Sequence, residues 1–248
     1  MKKFLPIIIF LVGLLVLGGV FLLVRSKKPA DLGSDEEANL VEVPLERRPV
    51  ATLTPSEDGH WLKLKIEKLE IDAKSLDYEL LYRFPDTDTG EEKTAGVPGT
   101  VMLADIKDIE RNLLMGSESS GKFRYDEGVE GGTLTLRFRN DKGKLLAKFS
   151  TDFRLQLGEE KLTSVDGKFT YTLEKMDKKV FYVTMQTFGL PERPGFEPAK
   201  GPYGVFSSKE SGNQGQVDGA DYYLWDSGEW KKLDGGKSEK LGIFVSAS

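Results

Sequence analysis

The residue pair best suited to covalent chemistry is Ser119 and Lys122, which stand three positions apart. Serine acyl-transferases of the penicillin-binding type use this S-x-x-K spacing, and their lysine helps to activate the serine hydroxyl. The companion S-D-N and K-T-G elements are missing, and Gly121 interrupts the helix that the motif requires. A membrane-tethered hydrolase using Ser119 and Lys122 is therefore the alternative function, and the main prediction is that the chain is not an enzyme.

The same stretch also matches the spacing of a phosphate-binding loop. Gly116, Gly121 and Lys122 satisfy G-x-x-x-x-G-K. However, Phe123 occupies the position of the Ser or Thr that would hold Mg²⁺, and no helix pattern follows. A polar turn between two strands is the favoured interpretation, and no nucleotide or other cofactor is predicted.

Metal chemistry is restricted by composition, because the chain has no cysteine and His60 is its only histidine. These counts exclude disulfides, thiolate sites and multi-histidine sites. Asp86 and Asp88 supply hard oxygen ligands in one loop and are weak calcium candidates, but Gly90 does not fit the spacing of a helix-flanked calcium loop. Solvated turn residues are the default interpretation, so no metal site is predicted.

The densest aromatic segment runs from Tyr222 to Trp230 and has the pattern of a tight hairpin. Its candidate ligand-face residues are Tyr222, Tyr223, Trp225 and Trp230. Aromatic side chains on an exposed strand dominate many binding interfaces. More often they form half-buried cross-strand pairs that stabilise a hairpin. Tyr222 and Tyr223 cannot both point inward from one strand, because neighbouring side chains alternate between its faces.

The N-terminal segment predicts a membrane anchor. Residues 4–24 are uncharged and apolar, and about 20 such residues span a bilayer as a helix. The stretch is longer than the apolar region of a cleaved signal peptide and lacks a small-x-small ending, which predicts an uncleaved signal anchor. Residues 1–3 are then a cytoplasmic stub, and residues 25–60, rich in Pro and charge, are a spacer. Since basic residues flank both ends, the extracytoplasmic placement of the C-terminal domain rests on its length.

The charge of the chain restricts its partners. Five of the 35 basic residues flank the apolar segment and all 40 acidic residues follow it, so the rest of the chain carries a net charge of −10. Nucleic-acid binding depends on Lys and Arg that neutralise phosphates, so a nucleic-acid partner is not expected. The predicted partners are the lipid bilayer, through residues 4–24, and a protein or glycan ligand.

Residues 61–248 have the pattern of many short strands, with no internal repeat and few or no helices. The clearest alternations run through Leu62 to Ile66 and Leu76 to Phe84, and they predict a hairpin that turns at 72–75. Further predicted pairs are 133–139 with 145–157 and 168–173 with 180–187, and only 104–112 could form a helical turn.

Regularly spaced strands of this kind predict an all-β, antiparallel β-sandwich, with an immunoglobulin-like topology as first choice. The Pro- and Gly-rich segment near 189–202 could separate two units, but a single elaborated domain is predicted because few residues follow it. The predicted function is a membrane-anchored extracytoplasmic protein of non-enzymatic type: a structural, adhesive or ligand-binding module of the cell envelope.

Overall fold

The computed structural model describes residues 40–87, 89–219 and 221–247. The predicted stub at 1–3, the predicted anchor at 4–24 and the spacer up to residue 39 lie outside these ranges. Among the residues that are described, no helix is long and apolar enough to cross a membrane.

The prediction of an all-β fold with antiparallel pairing is confirmed. Eighteen strands make up four sheets of nine, four, three and two strands, and the only helical pieces in the described ranges are single 3₁₀ turns at Leu45–Arg47 and Asp234–Gly236. The strands are β1 Val50–Pro55, β2 Trp61–Glu67, β3 Ser75–Pro85, β4 Glu92–Met102, β5 Ile109–Leu114, β6 Gly116–Ser119, β7 Lys122–Tyr125, β8 Gly131–Arg139, β9 Leu145–Leu157, β10 Lys161–Thr163, β11 Thr170–Leu173, β12 Phe181–Gln186, β13 Pro198–Ser207, β14 Gly215–Val217, β15 Tyr222–Asp226, β16 Glu229–Lys232, β17 Lys237–Ser238 and β18 Ile243–Ala247.

The nine-stranded sheet is the centre of the fold. Its strand order is β16-β15-β18-β13-β12-β9-β8-β3-β4, and the three-stranded sheet has the order β1-β2-β5. Apolar residues of β1, β2 and β5 pack with those of β3, β8, β9 and β12 into a first core, in which Leu64, Leu80 and Phe138 are fully buried. The alternating sequence of these strands explains the packing, since every second side chain reaches the facing sheet.

A second core lies on the opposite face of the nine-stranded sheet. The four-stranded sheet β10-β11-β14-β17 supplies Leu162 and Tyr171, and the large sheet supplies Tyr203 and Phe244. Strand β12 shows the change of face directly, because Val183 belongs to the first core and its neighbour Tyr182 to the second. Successive side chains of a strand point to opposite faces, so β12 is covered on both.

Two predicted strand pairs are wrong. Strand β2 pairs with β1 and β5, whereas β3 pairs with β4 and β8, so the expected hairpin at 72–75 does not form. Likewise, β11 belongs to the four-stranded sheet and β12 to the large one. Alternation identifies which side chains are buried, but two strands that face each other across a core give the same pattern as two that pair edge to edge.

Two local predictions are also revised. Residues 104–112 form a turn followed by the start of β5 and not a helical turn. Residues 50–55, placed in the spacer by their composition, form β1 and pair with β2. Ala51 and Leu53 of this strand are fully buried, so the compact unit begins before residue 61.

Candidate ligand-binding face

The β15–β16 hairpin forms as its sequence predicts. Ser227 and Gly228 make its two-residue turn with φ values of 54° and 86°. Positive φ at both positions is what the tightest hairpin turns require, because such turns match the twist of the strands. The turn sets the register so that Trp225 lies directly opposite Trp230.

The hairpin divides the four predicted ligand-face residues between the two faces of the sheet. Tyr222 is 3% exposed and packs in the second core with Leu224. Tyr223 and Trp225 point to the other face, as alternation demands. Tyr222 is therefore a core residue, and Tyr223, Trp225 and Trp230 are half-buried with part of each side chain in solvent.

The two indoles differ in how they are held. Their ring centroids are 5.3 Å apart and their planes are inclined by 57°. The indole nitrogen Nε1 of Trp230 donates a hydrogen bond to the carbonyl oxygen of Glu192 at 2.9 Å. The indole N–H of Trp225 has no hydrogen-bond partner among the described residues, which leaves a donor beside a partly exposed ring.

A fourth ring, missed by the sequence analysis, comes from the loop between β12 and β13. Phe196 packs on Tyr223 with ring centroids 4.1 Å apart and an angle of 33° between planes. Only its place in the Pro- and Gly-rich segment after β12 could have drawn attention to it, and that segment predicts no partner. We call Phe196, Tyr223, Trp225 and Trp230 the aromatic face.

No family model, curated protein or solved structure matches the chain. The site is therefore interpreted from its own geometry and charges.

Charged residues of the hairpin are paired with one another. Asp226 accepts hydrogen bonds from Lys231 at 2.8 Å and from Lys240 at 2.5 Å, and these lysines hold the pKa of its carboxyl well below the ordinary value. Lys232 lies 2.8 Å from Asp221, whose carboxylate raises the pKa of that lysine. Lys232 lies opposite Tyr223 and shares the side of the aromatic face, whereas Asp226 and Lys231 lie on the side of Leu224. The cation beside the aromatic face is therefore compensated by Asp221, which favours an uncharged ligand over a charged one.

The proposed Ser-Lys pair lies elsewhere, at the β6–β7 turn. Ser119 and Lys122 are opposite each other and flank Ser120 and Gly121, which form the turn. Both side chains are exposed, and within the described ranges neither makes a hydrogen bond or ion pair. A general base must reach the proton that it removes, and this arrangement holds neither residue in place. The phosphate-loop match is part of the same exposed hairpin.

The calcium candidate Asp86 is committed to its own turn. It is 7% exposed, and its Oδ1 accepts hydrogen bonds from the amide of Thr89 at 2.9 Å and from its hydroxyl at 3.2 Å. Oδ2 accepts a hydrogen bond from Lys93. The other candidate, Asp88, lies outside the described residues. Within the described ranges, no group of three or more His, Asp or Glu residues is arranged to hold a metal ion.

Proposed function

We propose that the chain is a membrane-anchored, extracytoplasmic binding module without enzymatic activity, and that its ligand is a neutral glycan that stacks on the aromatic face. The observation that carries the proposal is the pairing of two unlike indoles. Trp230 is fixed by its bond to the carbonyl of Glu192, while Trp225 presents a partly exposed ring and an N–H that no described residue accepts.

The chemistry of the aromatic face suits a sugar. Carbohydrates present apolar C–H faces with hydroxyl groups at their edges, and Trp and Tyr combine a large apolar ring with a polar group. The Tyr223 hydroxyl and the Trp225 N–H have no hydrogen-bond partners among the described residues, so both are free to bind a ligand hydroxyl. The pairing of Lys232 with Asp221 beside the rings gives a charged ligand no advantage.

The location is supported by the sequence, through the uncharged segment at residues 4–24 and the long hydrophilic region after it. A tethered domain held off the membrane fits adhesion or envelope organisation. The β-sandwich with an immunoglobulin-like topology remains the sequence prediction for the finer fold. The tethered hydrolase is not carried forward, because Ser119 and Lys122 flank an exposed turn and no side chain in the described part of the chain bonds to either.

Glycan binding is tested by tryptophan fluorescence and calorimetry with neutral oligosaccharides, using cellohexaose, chitohexaose and xylohexaose as probes. We expect at least one probe to bind, and Trp225→Ala to abolish binding while the melting temperature is retained. Met102→Ser is the matched control, because Met102 is an exposed apolar residue on β4, the opposite edge strand of the same sheet. Failure of all three probes, or equal binding by Trp225→Ala, contradicts the assignment of the ligand.

The membrane topology is tested separately by using the absence of cysteine. A single cysteine at the exposed β8–β9 turn, Lys142→Cys, should react with a membrane-impermeant maleimide in intact cells. Lys3→Cys, in the predicted cytoplasmic stub, should react only after lysis. The reverse labelling pattern would place the domain in the cytoplasm. Release of the chain from membranes by alkaline carbonate would contradict the predicted transmembrane anchor.

A further inference from the structure

A second group of aromatic side chains lies outside the aromatic face, where the β6–β7 hairpin meets the start of β2. It comprises His60, Trp61, Phe123 and Tyr125, which we call the aromatic row. Phe123 and Tyr125 stand two positions apart on β7 and therefore point to the same side of that strand. Phe123 is 45% exposed, and the other three side chains are half-buried.

The rings of the row are ordered against one another. His60 stacks on Tyr125 with centroids 4.0 Å apart and 7° between planes. Phe123 is parallel to Tyr125 within 6° at 6.2 Å, and Trp61 meets Phe123 edge to face at 5.6 Å. Such contacts fix ring orientations.

The backbone beneath the row is tied to the first core. The amide of Met115 donates to the carbonyl of His60 at 2.9 Å, and the amide of Asp126 donates to the carbonyl of Met115 at 3.1 Å. The hydroxyl of Tyr82, a buried residue, donates to the carboxylate of Asp126 at 2.8 Å. The row is therefore held in place without a ligand, which reduces the entropic cost of binding one.

The charges around the row differ from those around the aromatic face. Glu118 lies directly opposite Phe123 and shares its side of the hairpin. Glu127 Oε1 lies 3.8 Å from His60 Nε2, and Asp58 accepts hydrogen bonds from the Ser56 hydroxyl and the His60 amide. None of the three carboxylates pairs with a lysine or arginine among the described residues. Two cations, Lys63 and Lys65, share the outer face of β2 with Trp61, and Lys65 is paired with Glu67.

We propose that the aromatic row and these carboxylates bind the guanidinium group of an arginine in an exposed segment of a partner protein. The electron-rich faces of aromatic rings attract cations. Arginine also stacks on such rings through its plane and donates paired hydrogen bonds to carboxylates. Three carboxylates without a lysine or arginine partner among the described residues, beside partly exposed rings, are complementary to this cation, whereas a neutral sugar has no positive charge to pair with them. The site is separate from the aromatic face and does not depend on glycan binding.

His60 allows a direct test, because its imidazole is the only one in the chain and stacks within the row. The full chain, labelled with ¹³C at histidine and held in zwitterionic nanodiscs, is titrated with a hexapeptide of alternating glycine and arginine. We expect the His60 ring signals to shift and saturate. The same peptide with citrulline, the neutral isostere of arginine, should leave them unchanged, and an equal shift with citrulline would overturn the proposal.

Matched variants separate this site from general attraction to an acidic protein. Phe123→Ser and Glu118→Gln should each weaken binding of the arginine peptide by about threefold to tenfold. Glu210→Gln removes one charge from an exposed carboxylate in the β13–β14 loop and should have no effect. An equal loss with Glu210→Gln means that the peptide responds to net charge alone. If cellohexaose moves the His60 signals instead, the row is a neutral-ligand site. Either result contradicts the proposal.

Discussion

The Tyr203 hydroxyl donates a hydrogen bond to Asp166 Oδ2 at 2.8 Å and thereby joins β13 of the nine-stranded sheet to the β10–β11 turn. Oδ1 of the same carboxylate accepts bonds from the Ser164 hydroxyl at 2.6 Å and the Lys168 amide at 3.1 Å. Asp166 thus ties together both sheets that enclose the second core.

Replacement of Tyr203 by Phe should lower the free energy of unfolding by about 1 to 2 kcal/mol, because the hydrogen bond to a carboxylate is lost while the buried ring is kept. Urea unfolding of the variant measures the change. Lys168→Ala, which keeps the backbone amide bonded to Asp166, is the control and should unfold like the parent protein. An unchanged midpoint for Tyr203→Phe would show that this bond contributes nothing to stability.

The same pair predicts how stability depends on pH. Burial raises the pKa of Asp166, but the hydrogen bonds from Ser164, Lys168 and Tyr203 outweigh it and the net direction is downward from 3.8. Because the pKa of Asp166 is lower in the folded state than in the unfolded state, its ionised carboxylate stabilises the fold above pH 3.8. This stabilisation is lost as the pH falls below 3.8 toward the pKa of the folded state. Burial and the bond to Asp166 raise the pKa of Tyr203 to about 12, so its contribution is complete below pH 10 and is lost between 10 and 12.

Urea unfolding at a series of pH values checks the predicted losses of stability at both acid and alkaline pH. Asp166→Asn should make the loss of stability below pH 3.8 shallower, and Tyr203→Phe should do the same above pH 10. Parallel pH profiles for the parent protein and both variants would contradict the linkage.

Two turn glycines with the same backbone conformation should respond differently to alanine. Gly59 has φ of +74° and Gly143 has φ of +76°. A Cβ on Gly59 would lie 2.4 Å from the Phe181 ring, whereas a Cβ on Gly143 meets open space. Gly143→Ala should lower the free energy of unfolding by about 1 to 2 kcal/mol, because alanine is strained in the left-handed conformation. Gly59→Ala should lower the free energy of unfolding by about 1 to 3 kcal/mol more, because its methyl group would overlap with the Phe181 ring. Equal losses in thermal unfolding would mean that the ring moves aside freely.

The two cores should unfold together, because β12 contributes side chains to both. Leu64→Ala in the first core and Leu173→Ala in the second should each cost about 2 to 5 kcal/mol. We expect each variant to shift one common transition in calorimetry and in hydrogen exchange of both sheets. A second transition that responds to Leu173→Ala alone would show that the cores are independent.

The hydrogen bond from the Trp230 indole to the Glu192 carbonyl should limit local opening of the loop that carries Phe196. Trp230→Phe keeps an aromatic ring but removes the donor to Glu192, so amides of residues 190–197 should exchange faster with solvent. Trp225→Phe is the matched control, since the N–H of Trp225 has no partner to lose among the described residues. Equal amide exchange in both variants would show that packing, and not the Trp230 hydrogen bond, holds this loop in place.

Local sequence signals predicted local structure well. Alternation correctly marked Leu62, Leu64 and Ile66 as buried. The predicted pairing of 133–139 with 145–157 and the predicted hairpin from Tyr222 to Trp230 are confirmed as β8–β9 and β15–β16. In each case the deciding interactions lie within a few residues along the chain, where turn geometry and the two-residue period of a strand act.

Contacts between distant segments could not be predicted in this way. Phe196 reaches Tyr223 from a loop without regular pattern, and His60 stacks on Tyr125 from a turn that the sequence placed in the spacer. The residue types were visible, but the choice of neighbour depends on how four sheets are stacked, which alternation does not encode.

Because strand β12 packs against a different core on each face, the protein cannot be divided there without exposing apolar side chains. A cut on either side of this strand would leave one layer of apolar side chains exposed in both halves, so neither half inherits a complete interior. Insertions and fusions should be tolerated at exposed turns such as 141–143, far along the chain from β12. The inseparable unit of this fold is therefore the strand held between two cores, and a minimal version of the domain has to be built around it.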